Sequence, residues 1–175
     1  PGQNSFNTAA TCFITISGGE LYVNSSGDGI DSNGNITVTG GTTIVEGPTS
    51  DGDGPLDSDG TATITGGTFV AIGSQGMAMN FVSANQGSVL LSVGSQSAGT
   101  TIALTDSDGN TLFTMTTVKS YASVLISVPD MVKGGTYTLK AGSFSQSVTL
   151  SSLVYGSSSG MGGGNPGGGR PGGRM

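Results

Sequence analysis

Oxygen ligands are the chemistry this chain offers. The stretch SSGDGIDSNGNITVTGG, Ser25 to Gly41, sets Asp28, Asp31 and Asn33 among glycines just ahead of a strand-like run, and SDGDGPLDSDGTATITGG, Ser50 to Gly67, repeats the plan with Asp53, Asp57 and Asp59. Superposing the two loops puts Ile30 on Leu56, Asp31 on Asp57 and Asn33 on Asp59, with Pro55 as a one-residue insertion. Carboxylates brought together this way repel one another. Residues 1–86 contain no Lys, Arg or His to offset them, so a hard divalent cation is the natural counter-charge. Calcium takes about six to eight oxygen ligands, and carboxylates, an Asn amide, Ser hydroxyls and backbone carbonyls all qualify. The predicted metal ligands are Asp28, Asp31, Asn33, Asp53, Asp57 and Asp59, with calcium as the ion. Zinc and other soft-ligand ions are excluded, because the chain has no His and a single Cys. The alternative is a solvated acidic loop that only keeps the surface soluble.

These loops are positioned by a repeat. FITISGGELYV (Phe13 to Val23), NITVTGGTTIV (Asn35 to Val45) and TATITGGTFVA (Thr61 to Ala71) recur around Gly-Gly pairs at steps of 22 and then 26 residues. Ile14 and Ile16, Ile36 and Val38, and Ala62 and Ile64 alternate with Thr and other polar positions, which is the period of a strand. A second short strand follows each glycine corner. Short strands at a coil-length period, without helices between them, predict a parallel β-helix over residues 1–86. In stacked coils, equivalent residues of neighbouring layers lie about 4.8 Å apart, which would bring Asp31 against Asp57.

From Gly87 the period disappears. SVLLSV, TTIALT, TLFTMTT, ASVLISV, TYTLKA and FSQSVTL read as strands separated by turns such as DSDGN, predicting an antiparallel β cap over residues 87–155 that shields the open end of the coil. DSDGN (Asp106 to Asn110) opens like a calcium loop but has no Glu at the twelfth position, so a hairpin turn is the better reading. Residues 156–175 contain ten glycines and no core-forming run, the composition of a mobile tail. The expected fold class is therefore all-β: a short parallel β-helix, a C-terminal antiparallel cap and a Gly/Pro-rich tail.

Charge and composition narrow the partners. The net charge of −6 divides into −8 over residues 1–86 and +2 over the remainder. A negative face and the absence of a basic stripe argue against nucleic acid. No run approaches the length of apolar residues that a membrane helix requires, so membrane insertion is not expected. The chain opens at Pro1 with no signal-peptide pattern, which fits a processed or truncated form of a longer protein. Low Lys and abundant Ser, Thr and Gly fit a secreted or cell-surface setting. Cys12 shares parity with Ile14 and Ile16 and reads as an inward-facing small hydrophobe. Tyr22 and Tyr137 fall within strand patterns, leaving Tyr121 and Tyr155 as the tyrosines able to reach solvent, and Met77 and Met79 read as packing at the coil-to-cap junction.

The ordered blocks ITISGG, SGDGIDSNGNITVTGG, EGPTSDGDGPLDSDGTATITGGTFVAIGSQGMA, QSAGTTIALTDSDGNTLFTMT and YASVLISVPDMVKGGTYTLKAG resemble a family of secreted bacterial carbohydrate-binding proteins. The resemblance spans residues 13–155. It implies a right-handed parallel β-helix carrying calcium ions, and binding of acidic plant polysaccharide, polygalacturonate in particular. The expected function is non-catalytic, calcium-dependent binding of such a polysaccharide outside the cell or at its surface. The alternative is a structural subunit of an extracellular fibre or adhesin in which calcium only stiffens the coil, and the open first edge near Thr11 predicts head-to-tail self-association. An enzyme is not expected. A lyase needs an Arg or Lys base beside the metal, which the coil half lacks, and carboxylates held on a metal are poor general acids.

Overall fold

The computed structural model describes residues 12–156, which form an all-β protein without a helix among them. The predicted tail from residue 157 onward lies outside the described residues. The three Gly-Gly copies become β1 (Phe13–Asn24), β3 (Asn35–Glu46) and the split pair β5 (Ala62–Ile64) and β6 (Thr68–Gly73). They pair in parallel and in phase. Ile14 lies beside Ile36 and Ile36 beside Ala62, while Ile16, Val38 and Ile64 form the next column. Thr15, Thr37 and Thr63 line up on the opposite face. The acidic loops supply β2 (Ile30–Ser32) and β4 (Leu56–Ser58), a separate two-stranded parallel sheet. At the corners, Gly19, Gly41 and Gly67 have φ of 79°, 84° and 86°, the left-handed region that side chains with a Cβ rarely adopt.

The remaining strands are β7 (Ser83–Ala84), β8 (Ser88–Gln96), β9 (Thr101–Asp106), β10 (Thr111–Thr116), β11 (Tyr121–Ser127), β12 (Thr136–Ala141), β13 (Phe144–Thr149) and β14 (Val154–Tyr155). Four of them form the expected antiparallel sheet, in the order β10-β9-β12-β13. Asp106 closes the β9–β10 turn by accepting the N–H groups of Asp108 and Asn110 at 2.9 and 2.8 Å, so DSDGN is a hairpin turn.

β8 and β11 behave differently from that sheet. β11 pairs antiparallel with both β6 and β8, so strands from both sides of Gly87 share one mixed, nearly closed sheet. The physical reason is two-sided burial. On β6, Phe69 and Ala71 face the coil core while Val70 and Ile72 face a second core. On β11, Leu125 joins the coil core and Val124 and Ile126 the other; on β8, Leu90 joins the first and Val89 and Leu91 the second. Such strands read as continuous apolar runs because both faces are covered. In the coil core Phe69 meets Phe81 edge-on, with ring centroids 5.1 Å apart.

Glu46 ties the 118–119 loop to the coil. It is 1% exposed, and its Oε2 accepts the backbone N–H groups of Val118 and Lys119 at 2.8 and 3.0 Å. Tyr22 donates its hydroxyl to Oε1 at 3.2 Å, and Lys119 Nζ donates to the Ser25 carbonyl oxygen. Removing this buried acceptor takes away three hydrogen bonds from partly buried donors, together worth about 1–3 kcal/mol. Glu46→Ala is therefore expected to lower unfolding stability by about 1–3 kcal/mol in urea titrations, and Glu46→Gln, which keeps one acceptor oxygen, by less. Equal stability of Glu46→Ala and the parent protein would contradict this role.

Candidate functional site

The acidic face is built by register. β2 and β4 run parallel with Ile30 beside Leu56, Asp31 beside Asp57 and Ser32 beside Ser58, the superposition expected from sequence. Alternation along the strands turns Ile30 and Leu56 into the core at 8% and 0% exposure and leaves Asp31 exposed and Asp57 half-buried. Backbone bonds hold the layers in this register: Ile30 N–H donates to the Pro55 carbonyl, Asp59 N–H to Ser32 and Gly60 N–H to Gly34. Ser58 Oγ also donates to the Gly34 carbonyl at 2.7 Å.

Four carboxylates influence one another here. Burial, then the charges of Asp28 and Asp59, raise the Asp31 carboxyl above the ordinary value of 3.8. Burial, then Asp28 and Asp31, raise Asp57 as well; the Ser58 backbone N–H opposes the shift and Asp59 adds to it. Asn33 donates its amide N–H to Asp59 Oδ2 at 3.2 Å, which places it in the same group. Asp53 is not among the charges that shift either central carboxyl. The structure thus gathers Asp28, Asp31, Asn33, Asp57 and Asp59. Among the described residues, no three His, Cys, Asp or Glu side chains are arranged to hold a metal ion. The donors gathered here are all hard oxygens or an amide, which suit calcium in kind. They supply an in-register pair of carboxylates rather than a closed shell.

Two aspartates of the loops also serve as clamps. Asp28 Oδ1 accepts the Gly54 N–H at 2.8 Å, and Asp51 Oδ1 accepts the Gly76 N–H at 2.9 Å, each reaching about one coil further along the chain. Sequence reasoning took Asp28 only as a metal ligand and gave Asp51 and Glu46 no role. The recurrence of Asp ahead of Gly at coil spacing was the available signal for the two clamps. Nothing in the sequence pointed to Glu46, whose two backbone donors lie more than seventy residues away.

The tyrosines are placed otherwise than expected. Tyr121 is 4% exposed with its hydroxyl 3.1 Å from Thr100 Oγ1, whereas Tyr22 is 55% exposed because β1 is the outermost coil strand. Cys12 is free and half-buried, Met79 packs against the coil core, and Met77 is exposed. A polar cleft of about 350 Å³ lies between the halves, lined by Asp51, Gln75, Gln96, Ser120 and Tyr121 among others.

These features define an all-β protein with an acidic, oxygen-rich face made from two stacked loops. No family model, curated protein or solved structure matches the chain.

The raised carboxyls fix the sign of a pH effect. A folded state that holds these protons more tightly than the unfolded chain gains stability that is complete below about 3.8 and is lost as pH rises through the raised values. Asp106, held low by its Asn110 hydrogen bond, works in the opposite direction. In chelator at neutral pH, Asp57→Asn should stabilise the protein by about 0.2–1 kcal/mol, the range for relieving like charges opposite one another on paired strands. Its gain should shrink toward pH 3.5. Urea unfolding across pH checks this, and a destabilised Asp57→Asn variant at neutral pH without metal would refute the repulsive pair.

Proposed function

We propose that this protein is a non-catalytic module that binds acidic polysaccharide of the polygalacturonate kind through calcium, outside the cell or at its surface, on a right-handed parallel β-helix scaffold. The observation that carries the reading is the in-register pair Asp31 and Asp57, both shifted toward the protonated form by burial and by neighbouring acids. Two carboxylates in that state gain from a shared divalent ion. Asp31 and Asp57 would hold it, with Asp28, Asn33 and Asp59 around them. The ion supplies positive charge on a face that otherwise repels a polyanion. A protein shell short of full coordination suits this role, because sugar carboxylates and water complete it. The non-catalytic reading follows from the residues at hand: the coil half has no Lys, Arg or His to act as a base.

A second reading, a structural subunit of an extracellular fibre or adhesin with purely structural calcium, is favoured by one observation. β1 pairs with β3 alone among the described strands and leaves its other edge open to a neighbour.

Retention of the protein on immobilised polygalacturonate is expected in millimolar calcium and lost in chelator. Asp31→Asn and Asp57→Asn should each weaken retention by about tenfold or more, the order expected when one partner of a charge-assisted contact is removed. The same variants should lose the calcium-induced rise in thermal stability. Retention that survives chelation would overturn the bridging ion, and a calcium-dependent rise in stability without any retention would favour the structural subunit.

A further inference from the structure

We propose that the polar cleft between the halves is a binding site for a small polyhydroxylated amine, of the size and chemistry of a single hexosamine, with its ammonium group on Asp51. The mixed sheet makes the cleft. β6 and β8 flank β11 on opposite sides, and the cleft lies where β6 and β8 end and β11 begins. Ser123 of β11 pairs with Gly73 on one side and Ser92 on the other. From there β8 advances to Gln96 while β11 moves back only to Tyr121, a bulge that holds Gly94 with φ of 66°. Bulges bend a strand and re-aim its side chains. This one brings Ser95 to the cleft, whose other walls include Asp51, Ser74 and Gln75 from the β6 side and Ser120 from the start of β11.

The lining is fixed in place before any ligand arrives. Ser74 is 4% exposed, its N–H donates to the Pro48 carbonyl at 2.8 Å, and its own carbonyl accepts the Ser123 hydroxyl at 2.6 Å. Its Oγ, by contrast, meets no hydrogen-bond partner among the described residues. Buried hydroxyls are ordinarily satisfied, so an orphan in a cleft wall points to a group that completes it. Asp51 is oriented in the same way, because its Oδ1 accepts the Gly76 N–H at 2.9 Å. Gln75 donates its amide to Ser92 Oγ, which leaves the amide oxygen as an acceptor. Side chains anchored at one atom lose little freedom when another atom takes a ligand.

That lining also selects the occupant. Asp51 is the one ionised side chain in it, and the nearest cation along the chain, Lys119, donates its ammonium to the Ser25 carbonyl oxygen instead. An anion would meet an unopposed carboxylate on a half that carries −8, which separates this cleft from the acidic-polysaccharide reading. A carboxylate only accepts and an ammonium group only donates, so the two form a charge-assisted pair. The hydroxyls of Ser74, Ser95 and Ser120 donate and accept alike, as a ring bearing several hydroxyls requires. Tyr121 is buried with its hydroxyl on Thr100, so recognition rests on polar contacts rather than on stacking. A volume of about 350 Å³ lies at the small end of ligand pockets, the scale of one sugar-sized ring.

The test titrates the full 175-residue protein in chelator with glucosamine, glucose, N-acetylglucosamine and galacturonate, following backbone amide shifts by NMR. Glucosamine should shift the amides of residues 74–76, 95–96 and 120–122. Glucose and N-acetylglucosamine, which lack the charge, should bind about tenfold more weakly or worse, and galacturonate should not bind. Asp51→Asn, which keeps an acceptor for the Gly76 N–H, should bring glucosamine down to the level of glucose. Ser95→Phe, whose ring would fill the cleft from an exposed position, should abolish binding and serves should the Asn variant fold poorly. Equal affinity for glucose and glucosamine, glucosamine shifts confined to other residues, or undiminished binding in either variant would overturn the proposal. With calcium chelated throughout, these readouts are independent of retention on polygalacturonate, and either result can fail without the other.

Discussion

Parallel, in-phase stacking of layers is the constraint on which the coil half depends. Each coil places like on like, so one short pattern of residues sets columns that run through the molecule: isoleucine and valine inside, threonine on the other face, glycine at the corner. A one-residue slip would reverse every column at once, sending the aliphatic set to solvent and threonine into the core. The penalty is collective, which is why the register holds even though its steps differ, at 22 and 26 residues. The four extra residues of the second step go to the loop that carries Asp51 and Asp53, away from the strands.

The same registry that builds the core creates the acidic face. Asp31 and Asp57 are together because Ile30 and Leu56 must be, and alternation along β2 and β4 permits no other arrangement. Two carboxylates held by hydrophobic neighbours cannot relax apart as they would on a flexible loop. Their repulsion is stored in the fold and is available to whatever cation or proton relieves it. This links scaffold to site: buried apolar area holds the backbone, and the backbone holds the charges.

A second constraint joins the halves. β6, β8 and β11 have cores on both faces, so they form a wall common to two hydrophobic clusters. Such a wall couples the coil to the strands beyond it more strongly than surface docking of a cap, since its apolar side chains are buried alternately in one cluster and the other. Glu46 adds a polar fastening where a loop crosses the coil, its buried charge met by two backbone N–H groups and a tyrosine hydroxyl. The opposite end of the stack has no counterpart to this wall among the described residues, and its exposed Phe13 and Tyr22 mark the difference.

By itself the sequence determined the all-β class, the in-phase parallel pairing of the three repeat copies, the antiparallel hairpins and the pairing of Asp31 with Asp57. All of these follow from short-range pattern: strand alternation, glycine at corners, and recurrence at one coil length, which maps sequence distance directly onto neighbouring layers. Tertiary structure alone decided that β8 and β11 would enter the same sheet as β3 and β6, that Tyr121 would be buried and Tyr22 exposed, and that Glu46 would close the junction. Those outcomes rest on contacts between segments with no shared period. An apolar strand such as SVLISV reads the same whether one or two cores cover it, and the partners of Glu46 beyond Gly87 are backbone groups that carry no residue signature.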